Sequence, residues 1–313
     1  MESIVEKRSV VMKKTSQNIV VILLLVLLSV SLAQASTPLV TPEWLMENID
    51  DPELRILDLQ HPKAYPRAHL PGAINTDYGK WRKTGKNGVP SLIPEPAYLE
   101  KLIGGLGISN STQVVLAPLG AGAGDMAVAT RIYWTFKAMG HDKISILDGG
   151  LIAYSKLPKA RFTKQNFTAE PVVFKANVRE EYFPGAAQVK EALDRGVTFV
   201  DSRSKPEYIG KVSGDKKERP GTIPGSIHLP YDSLVKPRSG FFHSKDKLQE
   251  IYQASGVPLT GEQISFCHTG HRTSLSWFVS HELLGNKDAR MYDGSTVEWA
   301  STPDLPLTVL KQK

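Results

Sequence analysis

The chain has 313 residues, of which 41% are hydrophobic and 22% are charged, and its formal net charge is +6. This length suits two domains of ordinary globular composition. The positive charge is mild and includes no dense basic run with interleaved aromatic residues, so we do not expect nucleic-acid binding. A small anionic substrate suits such a charge better.

Residues 1–35 have the organisation of a secretory signal peptide, with basic residues, an apolar run over 19–28 and small residues at 33–35. We expect cleavage after Ala35, which lowers the formal charge from +6 to +4, and export, with the bacterial periplasm as the destination. An uncleaved membrane anchor is the alternative, but the apolar core is short for a span. Met12 is an alternative start. The mature chain is expected to have no membrane contact.

Apolar strands alternate with helical segments in the first half of the chain. Thr41-Pro42-Glu43 supplies an N-cap, a first-position proline and a first-turn acid, and predicts a helix that reaches Ile49. A second helix is predicted over 95–106, before Gly107. Short apolar runs that end in Asp or Gly are the predicted strands, at residues 56–58, 114–116 and 146–148.

The same landmarks recur in the second half in the same order, at residues 199–201, 223–227, 264–266 and 291–295. Helices are predicted over 244–255 and 273–284, each ending at a glycine. This repeat indicates two copies of one α/β unit, each a mostly parallel sheet covered by helices on both faces. Residues 159–177 lack an apolar period and are interpreted as a linker between domains at 36–158 and 178–313.

Cys267 is the only cysteine of the chain, and it follows a buried-strand pattern and precedes a helix. Backbone N–H groups of such a loop, the helix dipole and Arg272 all favour a thiolate. The alternative is a buried free cysteine that acts as a small hydrophobic residue. An exported chain with one thiol cannot form an internal disulfide, so the thiol must be tolerated or used.

These landmarks resemble the rhodanese-type sulfurtransferases over nearly the whole mature chain. The second half resembles them through Asp201-Ser202-Arg203, Glu207-Tyr208, the run over 223–230, the Cys267 loop and Tyr292-Asp293-Gly294-Ser295. The first half resembles the catalytically silent domain of tandem members: it carries Leu147-Asp148-Gly149-Gly150, and its loop over 117–125 has no cysteine. Because tandem members bury their active site between domains, we expect Gly120 to Asp125 near Cys267.

The length of the cysteine loop separates two chemistries of this fold. Four residues lie between Cys267 and Arg272, which resembles the sulfurtransferases, whereas the related phosphatases and arsenate reductases have five. A smaller ring of N–H donors suits a persulfide sulfur rather than a phosphoryl group. The sequence therefore favours sulfur transfer.

The resemblance implies that the Cys267 thiolate takes the outer sulfur of a donor, becomes a persulfide and passes the sulfur to cyanide or a thiol, with no metal or organic cofactor. Arg272 is the expected second catalytic residue, and it would hold a sulfonate-like leaving group. A salt bridge from Arg272 to Glu207 is the structural alternative. The remaining expected substrate-binding residues are His268, Thr269, Gly270, His271, Thr273, Asp201 and Arg203.

Some of these assignments have a second interpretation. His268 and His271 either donate to an anion or cover the loop in solvent. Asp201 and Arg203 suit a structural ion pair equally well. Thr269 stands where vertebrate thiosulfate enzymes carry lysine, and Glu207 where they carry a substrate-binding arginine.

The donor is expected to be thiosulfate, because Arg272 and the two histidines would form a cationic pocket. The loop does not match the Gly, Ser or Val of the Cys-Gly-Ser-Gly-Val-Thr of mercaptopyruvate enzymes, but mercaptopyruvate sulfurtransfer remains the second hypothesis. A persulfide carrier or binding module and a purely structural tandem module are the further alternatives. The chain is expected to be a monomer.

Overall fold

Two parallel sheets organise the protein in a computed structural model that describes residues 37–85, 87–215 and 218–310. These described residues belong to one compact unit. The predicted signal peptide lies outside the described residues. Within the described ranges, no helix has both the length and the apolar character needed to cross a membrane.

The first half forms a five-stranded sheet in the order β1-β5-β4-β2-β3, and the second half forms a four-stranded sheet in the order β7-β6-β8-β9. Every neighbouring pair of these strands is parallel. The prediction of two α/β units with parallel sheets is confirmed. The strands are β1 (Leu39–Val40), β2 (Leu54–Asp58), β3 (Ile74–Asn75), β4 (Gln113–Ala117), β5 (Ile144–Leu147), β6 (Thr198–Asp201), β7 (Ile227–His228), β8 (Gln263–Phe266) and β9 (Ala289–Met291).

Nine α-helices connect these strands in the described part of the chain, together with short 3₁₀ turns at Tyr65–Arg67, Tyr78–Trp81, Glu180–Tyr182 and Tyr231–Leu234. The helices are α1 (Pro42–Asn48), α2 (Pro96–Gly105), α3 (Ala123–Ala138), α4 (Gly150–Tyr154), α5 (Ala186–Asp194), α6 (Lys205–Tyr208), α7 (Lys245–Ser255), α8 (Arg272–Phe278) and α9 (Ser295–Trp299).

The predicted helix ends follow from identifiable capping groups. The Thr41 hydroxyl accepts the backbone N–H of Trp44 at 3.1 Å, which fixes the start of α1. Gly256 ends α7 in the left-handed conformation, with φ at +81°. The helix predicted over 273–284 begins one residue earlier, at Arg272, and changes after α8 into a π-helix, Val279–Leu283. That change of hydrogen-bond register is not visible in the apolar period of the sequence.

One of the hydrophobic core clusters contains residues of both halves. Along β2 and β4, alternate residues enter different clusters, so both faces of the first sheet are buried. The cluster between the halves contains Trp81 and Trp134 from the first half and Leu275 and Trp277 from the second. The Thr130 hydroxyl of α3 lies 2.9 Å from the Ser274 hydroxyl of α8. The cysteine loop, which directly precedes α8, therefore lies beside the packed boundary of the two halves.

The segment predicted as the linker packs along the first half. Phe174 is buried, and the Val172 and Asn177 amides donate to the carbonyls of Gly104 and Met139, both at 3.0 Å. The domain limits at 36–158 and 178–313 stay predictions.

Candidate active site

Cys267 follows β8 directly and is 1% exposed. The loop over 267–271 then leads into α8. Gly270 adopts a φ of +70°, and a Cβ there would lie 2.5 Å from Arg131 Nη1 and 2.6 Å from Asp293 Oδ1. Only glycine fits this position without displacing its neighbours. The loop is thus pressed against a buried ion pair, in which Arg131 of α3 lies 2.5 Å from Asp293 and donates to the Gly270 carbonyl at 3.0 Å.

Ser295 holds both ends of the cysteine loop through its side chain. Its hydroxyl accepts the backbone N–H groups of Cys267 at 3.1 Å and Gly270 at 3.2 Å, and it donates to the Tyr292 carbonyl at 2.8 Å. Ser295 adopts a φ of +48°, which is uncommon for a residue other than glycine. In the internal repeat of the sequence, Ser295 is only a landmark. The first half has Gly150 at the matching place, with φ at +64°. The replacement of this glycine by a serine in the second half is the sequence signal that could have identified Ser295.

Three backbone amides of the loop remain open. Within the described residues, the N–H groups of His268, Thr269 and His271 have no acceptor. The amides of Cys267 and Gly270 are not free, because both donate to the Ser295 hydroxyl. Unpaired donors in a tight loop next to a helix start suit an anion.

Arg272 forms the salt bridge that the sequence analysis gave as its structural alternative. Its Nη1 and Nη2 atoms lie 2.7 Å from the two carboxylate oxygens of Glu207, on α6. Burial alone would raise the pKa of Glu207, but the hydrogen bonds from Arg272 and Ser204 outweigh it and hold that pKa at about 2. The same carboxylate raises the pKa of Arg272 against the effect of burial. The guanidinium fork of Arg272 is therefore occupied.

The two loop histidines have defined partners rather than covering the loop in solvent. His268 Nε2 lies 2.9 Å from Glu218 Oε1, and Gly214 packs closely against the His268 ring. His271 Nδ1 lies 2.8 Å from the Tyr78 hydroxyl of the first half. Burial, followed by the charges of Arg82, Arg131 and Arg272, lowers the pKa of His271 to about 4. His271 is therefore neutral at physiological pH and does not provide the positive charge expected for the pocket.

Thr269 and Thr273 differ in their surroundings. Thr269 is partly exposed, and both its carbonyl and its hydroxyl accept from Nη2 of Arg82, at 3.3 and 3.2 Å. Thr273 is fully buried in α8, and its hydroxyl has no hydrogen-bond partner within the described residues.

Asp201 and Arg203 form an internal ion pair. Arg203 Nη2 lies 2.6 Å from Asp201 Oδ2, and the two residues are 2% and 0% exposed respectively. The Thr222 hydroxyl also donates to Asp201 Oδ2, at 2.7 Å. Burial and mutual pairing leave neither charge free for a substrate. The geometry therefore supports a structural ion pair of Asp201 and Arg203 rather than a substrate-binding role.

The first half lacks a thiol at the place that matches Cys267. Ala117 at the end of β4 pairs with Asp58, and Phe266 at the end of β8 pairs with Asp201. Pro118 therefore follows β4 at the place where Cys267 follows β8. The Pro118 carbonyl accepts from Leu151, as the Cys267 carbonyl accepts from Thr296.

Among the described residues, the first-half side chains that form hydrogen bonds with the cysteine loop lie outside the predicted segment 120–125. Gly120 packs against Gly149, Gly150 and Gly240, and α3 already begins at Ala123. These hydrogen-bonding side chains of the described part are Tyr78, Arg82 and Arg131, and no pattern in the sequence indicated them.

Comparison with known proteins gives concordant matches. A family model described as "Rhodanese-like domain" matches residues 41–157 and again residues 185–302. The "Putative thiosulfate sulfurtransferase 1" of Mycobacterium bovis is 30% identical over 283 residues, which cover 86% of this chain and 96% of the relative. A protein of Haloferax volcanii named "Putative thiosulfate sulfurtransferase" is 28% identical over 292 residues, covering 87% and 96% of the two chains.

Two solved structures share the fold. The anaerobic ergothioneine biosynthesis enzyme from Chlorobium limicola, in complex with trimethyl histidine, has a TM-score of 0.76 at 24% identity, and the match covers 88% of this chain and 71% of that one. SseA from Escherichia coli, reported with the rhodanese fold of 3-mercaptopyruvate sulfotransferases, has a TM-score of 0.71 at 24% identity and coverages of 83% and 99%.

Proposed function

The chain belongs to the rhodanese family, and we propose that it is a sulfurtransferase that moves a sulfane sulfur from thiosulfate to a thiophilic acceptor through a Cys267 persulfide. The observation that carries the proposal is the cysteine loop itself. The only thiol of the chain follows β8, with its own amide fixed by Ser295 and three neighbouring amides open.

The first step forms one S–S bond and breaks another. The Cys267 thiolate attacks the outer sulfur of thiosulfate, and sulfite leaves with the electron pair of the broken S–S bond. The product is a Cys267 persulfide anion. The open loop amides stabilise this negative charge without any reorganisation during the reaction. Neither step of this exchange requires a metal ion or an organic cofactor.

The second step returns the enzyme to its starting state. A cyanide ion or a thiolate attacks the terminal persulfide sulfur, takes it as thiocyanate or as a new persulfide, and leaves the Cys267 thiolate behind. The burial of Cys267 keeps water from the persulfide between the two steps.

The proposal also assigns different roles to the two halves of the chain. Residues 178–313 would form the catalytic half and residues 36–158 the silent half, because the matching place carries Pro118. We also propose export to the periplasm after cleavage behind Ala35, on the signal-peptide pattern of residues 1–35. The intact mass of the protein recovered from the periplasmic fraction tests both export and the cleavage position.

Intact-mass analysis after mixing with thiosulfate tests the chemistry. We expect the wild-type protein to gain the mass of one sulfur atom and to lose it again on addition of cyanide. Cys267→Ser is the control, because it removes the only thiol while its side chain has nearly the same size. No gain of mass in the wild type would contradict the persulfide mechanism.

The donor is tested by comparing kcat/KM for thiosulfate and for 3-mercaptopyruvate. A higher value for 3-mercaptopyruvate would contradict the proposed donor but not the persulfide. A stable persulfide with low turnover from every donor would indicate a carrier.

A further inference from the structure

Three arginines lie at the cysteine loop, and they differ in whether an acid offsets their charge. Arg272 is paired with Glu207, and Arg131 with Asp293. Arg82 is different, because no carboxylate of the described residues lies within ion-pair distance of its guanidinium. It is the arginine of this group whose positive charge remains uncompensated in the described part of the chain.

The hydrogen-bond donors of Arg82 are mostly unused. Nη2 makes both of its hydrogen bonds to neutral oxygens of Thr269, at 3.2 and 3.3 Å. Nε is buried and has no partner, and Nη1 makes no hydrogen bond to a described residue. A guanidinium carries five N–H donors in one plane. Buried donors without partners lose hydration without replacement, so the unpaired edge of Arg82 suits an anionic ligand.

The position of Arg82 is fixed by its neighbours in the first half. It directly follows the 3₁₀ turn Tyr78–Trp81. Trp81 is fully buried and donates through Nε1 to the Thr76 hydroxyl at 2.9 Å. The guanidinium carbon lies 5.1 Å from the centre of the Tyr78 ring, and the Tyr78 hydroxyl is held by His271. The guanidinium is therefore pre-organised against the cysteine loop.

We propose that Arg82 binds the anionic end of the sulfur donor, so that the half without a thiol supplies substrate recognition. This inference rests on the proposed function, because it names the group that receives the donor of the Cys267 reaction. A planar guanidinium edge matches two oxygens of a sulfonate or carboxylate. An incoming anion gains less at Arg272, since Glu207 already occupies both of its terminal nitrogens.

Alkylation of the single cysteine tests the anion site without any sulfur transfer. Iodoacetate is anionic and iodoacetamide is neutral, and both react with the same thiolate. The ratio of their second-order rate constants therefore reports attraction of an anion, because a change in thiolate fraction affects both reagents equally. We expect Arg82→Gln to lower the iodoacetate to iodoacetamide ratio by about tenfold, the effect of losing one charge-assisted hydrogen bond.

Two further variants sharpen this test. Arg82→Lys keeps the charge but not the planar fork, and it is expected to fall between the wild type and Arg82→Gln. Arg195→Gln is the matched control, because Arg195 is exposed and paired with Glu262 at the surface, and its ratio should equal that of the wild type. Thermal unfolding of each variant shows whether the fold is retained.

Steady-state kinetics give the second measurement. Arg82→Gln is expected to raise the KM for thiosulfate by about tenfold and to change kcat less. An unchanged alkylation ratio in both folded Arg82 variants would overturn the inference, whatever the kinetics show. A wild-type protein that gains no sulfur from thiosulfate would contradict the proposed function. The anion site would still be supported if the iodoacetate to iodoacetamide ratio were lower in Arg82→Gln than in the wild type.

Discussion

The hydroxyl of Ser295 accepts the backbone N–H of Cys267 at 3.1 Å, and Ser295 adopts a left-handed φ of +48°. A residue with a Cβ occupies that region at a cost of about 1–2 kcal/mol. In the first half, Gly150 takes the same conformation without that cost, and it follows β5 where no thiol needs to be positioned. The serine hydroxyl thus offsets backbone strain by fixing two amides of the cysteine loop.

Substitution of Ser295 should separate strain from hydrogen bonding. Ser295→Ala leaves the strained φ and orphans the amides of Cys267 and Gly270, so we expect a loss of about 1–3 kcal/mol in the free energy of unfolding. Ser295→Gly removes the same acceptor but relieves the strain, and it should be less destabilising than alanine by about 1 kcal/mol. Urea unfolding measures both. Both variants should lose kcat for sulfur transfer, and an unaltered kcat in both would show that the loop does not depend on Ser295.

The Arg272–Glu207 pair predicts a specific acid dependence of stability. The folded-state pKa of Glu207 is lowered to about 2, so the pair contributes its full stability above pH 4.5 and loses it as the pH falls towards 2. Glu207→Gln should therefore be less stable than the wild type at pH 7, and the difference should shrink below pH 4.5. Denaturant unfolding at several pH values measures it. A constant difference down to pH 2.5 would show that the destabilisation does not come from this charge.

His271 predicts a second pH window with the same direction. Its folded-state pKa is lowered to about 4 from an ordinary value of 6.5, so the unfolded chain binds the proton first. The stability from neutral His271 is complete above pH 6.5 and is lost as the pH falls through 4. We expect about 1–2 kcal/mol of this loss between pH 6.5 and 5. His271→Gln should remove that part of the slope, and Tyr78→Phe is the control that removes only the hydroxyl contact. An unchanged slope in His271→Gln would contradict the assignment.

The fold follows from local patterns, whereas much of the site does not. Apolar runs that end at Asp58, Asp201 and Phe266 predicted three central strands, because buried parallel strands leave a continuous apolar signal. The Glu207 salt bridge of Arg272 was anticipated as an alternative from the sequence. Tyr78 and Arg82 were missed because they contact residues 187 to 193 positions away, from a segment without apolar periodicity. Such contacts are set by the packing of α3 against α8 and leave no local trace in the sequence.

The shared core predicts that the second half depends on the first for both stability and thiol protection. In the full chain, Tyr133 of α3 packs edge-on against Phe278 of α8, with ring centres 4.9 Å apart. A fragment of residues 178–313 would expose this face to water and lose Arg131, the buried ion-pair partner of Asp293. We therefore expect the fragment to unfold at a lower urea concentration than the chain 36–313.

The fragment should also lose protection of Cys267, because Tyr78, Arg82 and Arg131 no longer cover the loop. We expect its alkylation by iodoacetamide to be at least about tenfold faster than in the chain 36–313, which corresponds to about 1.4 kcal/mol. Co-expression with residues 36–177 is the control, since a restored interface should return both the slow alkylation and the kcat/KM for thiosulfate. A lone fragment with the thiol protection and kcat/KM of the full chain would show that the first half has no part in the site. The contacts of Arg82 and Arg131 with the loop would then serve packing alone.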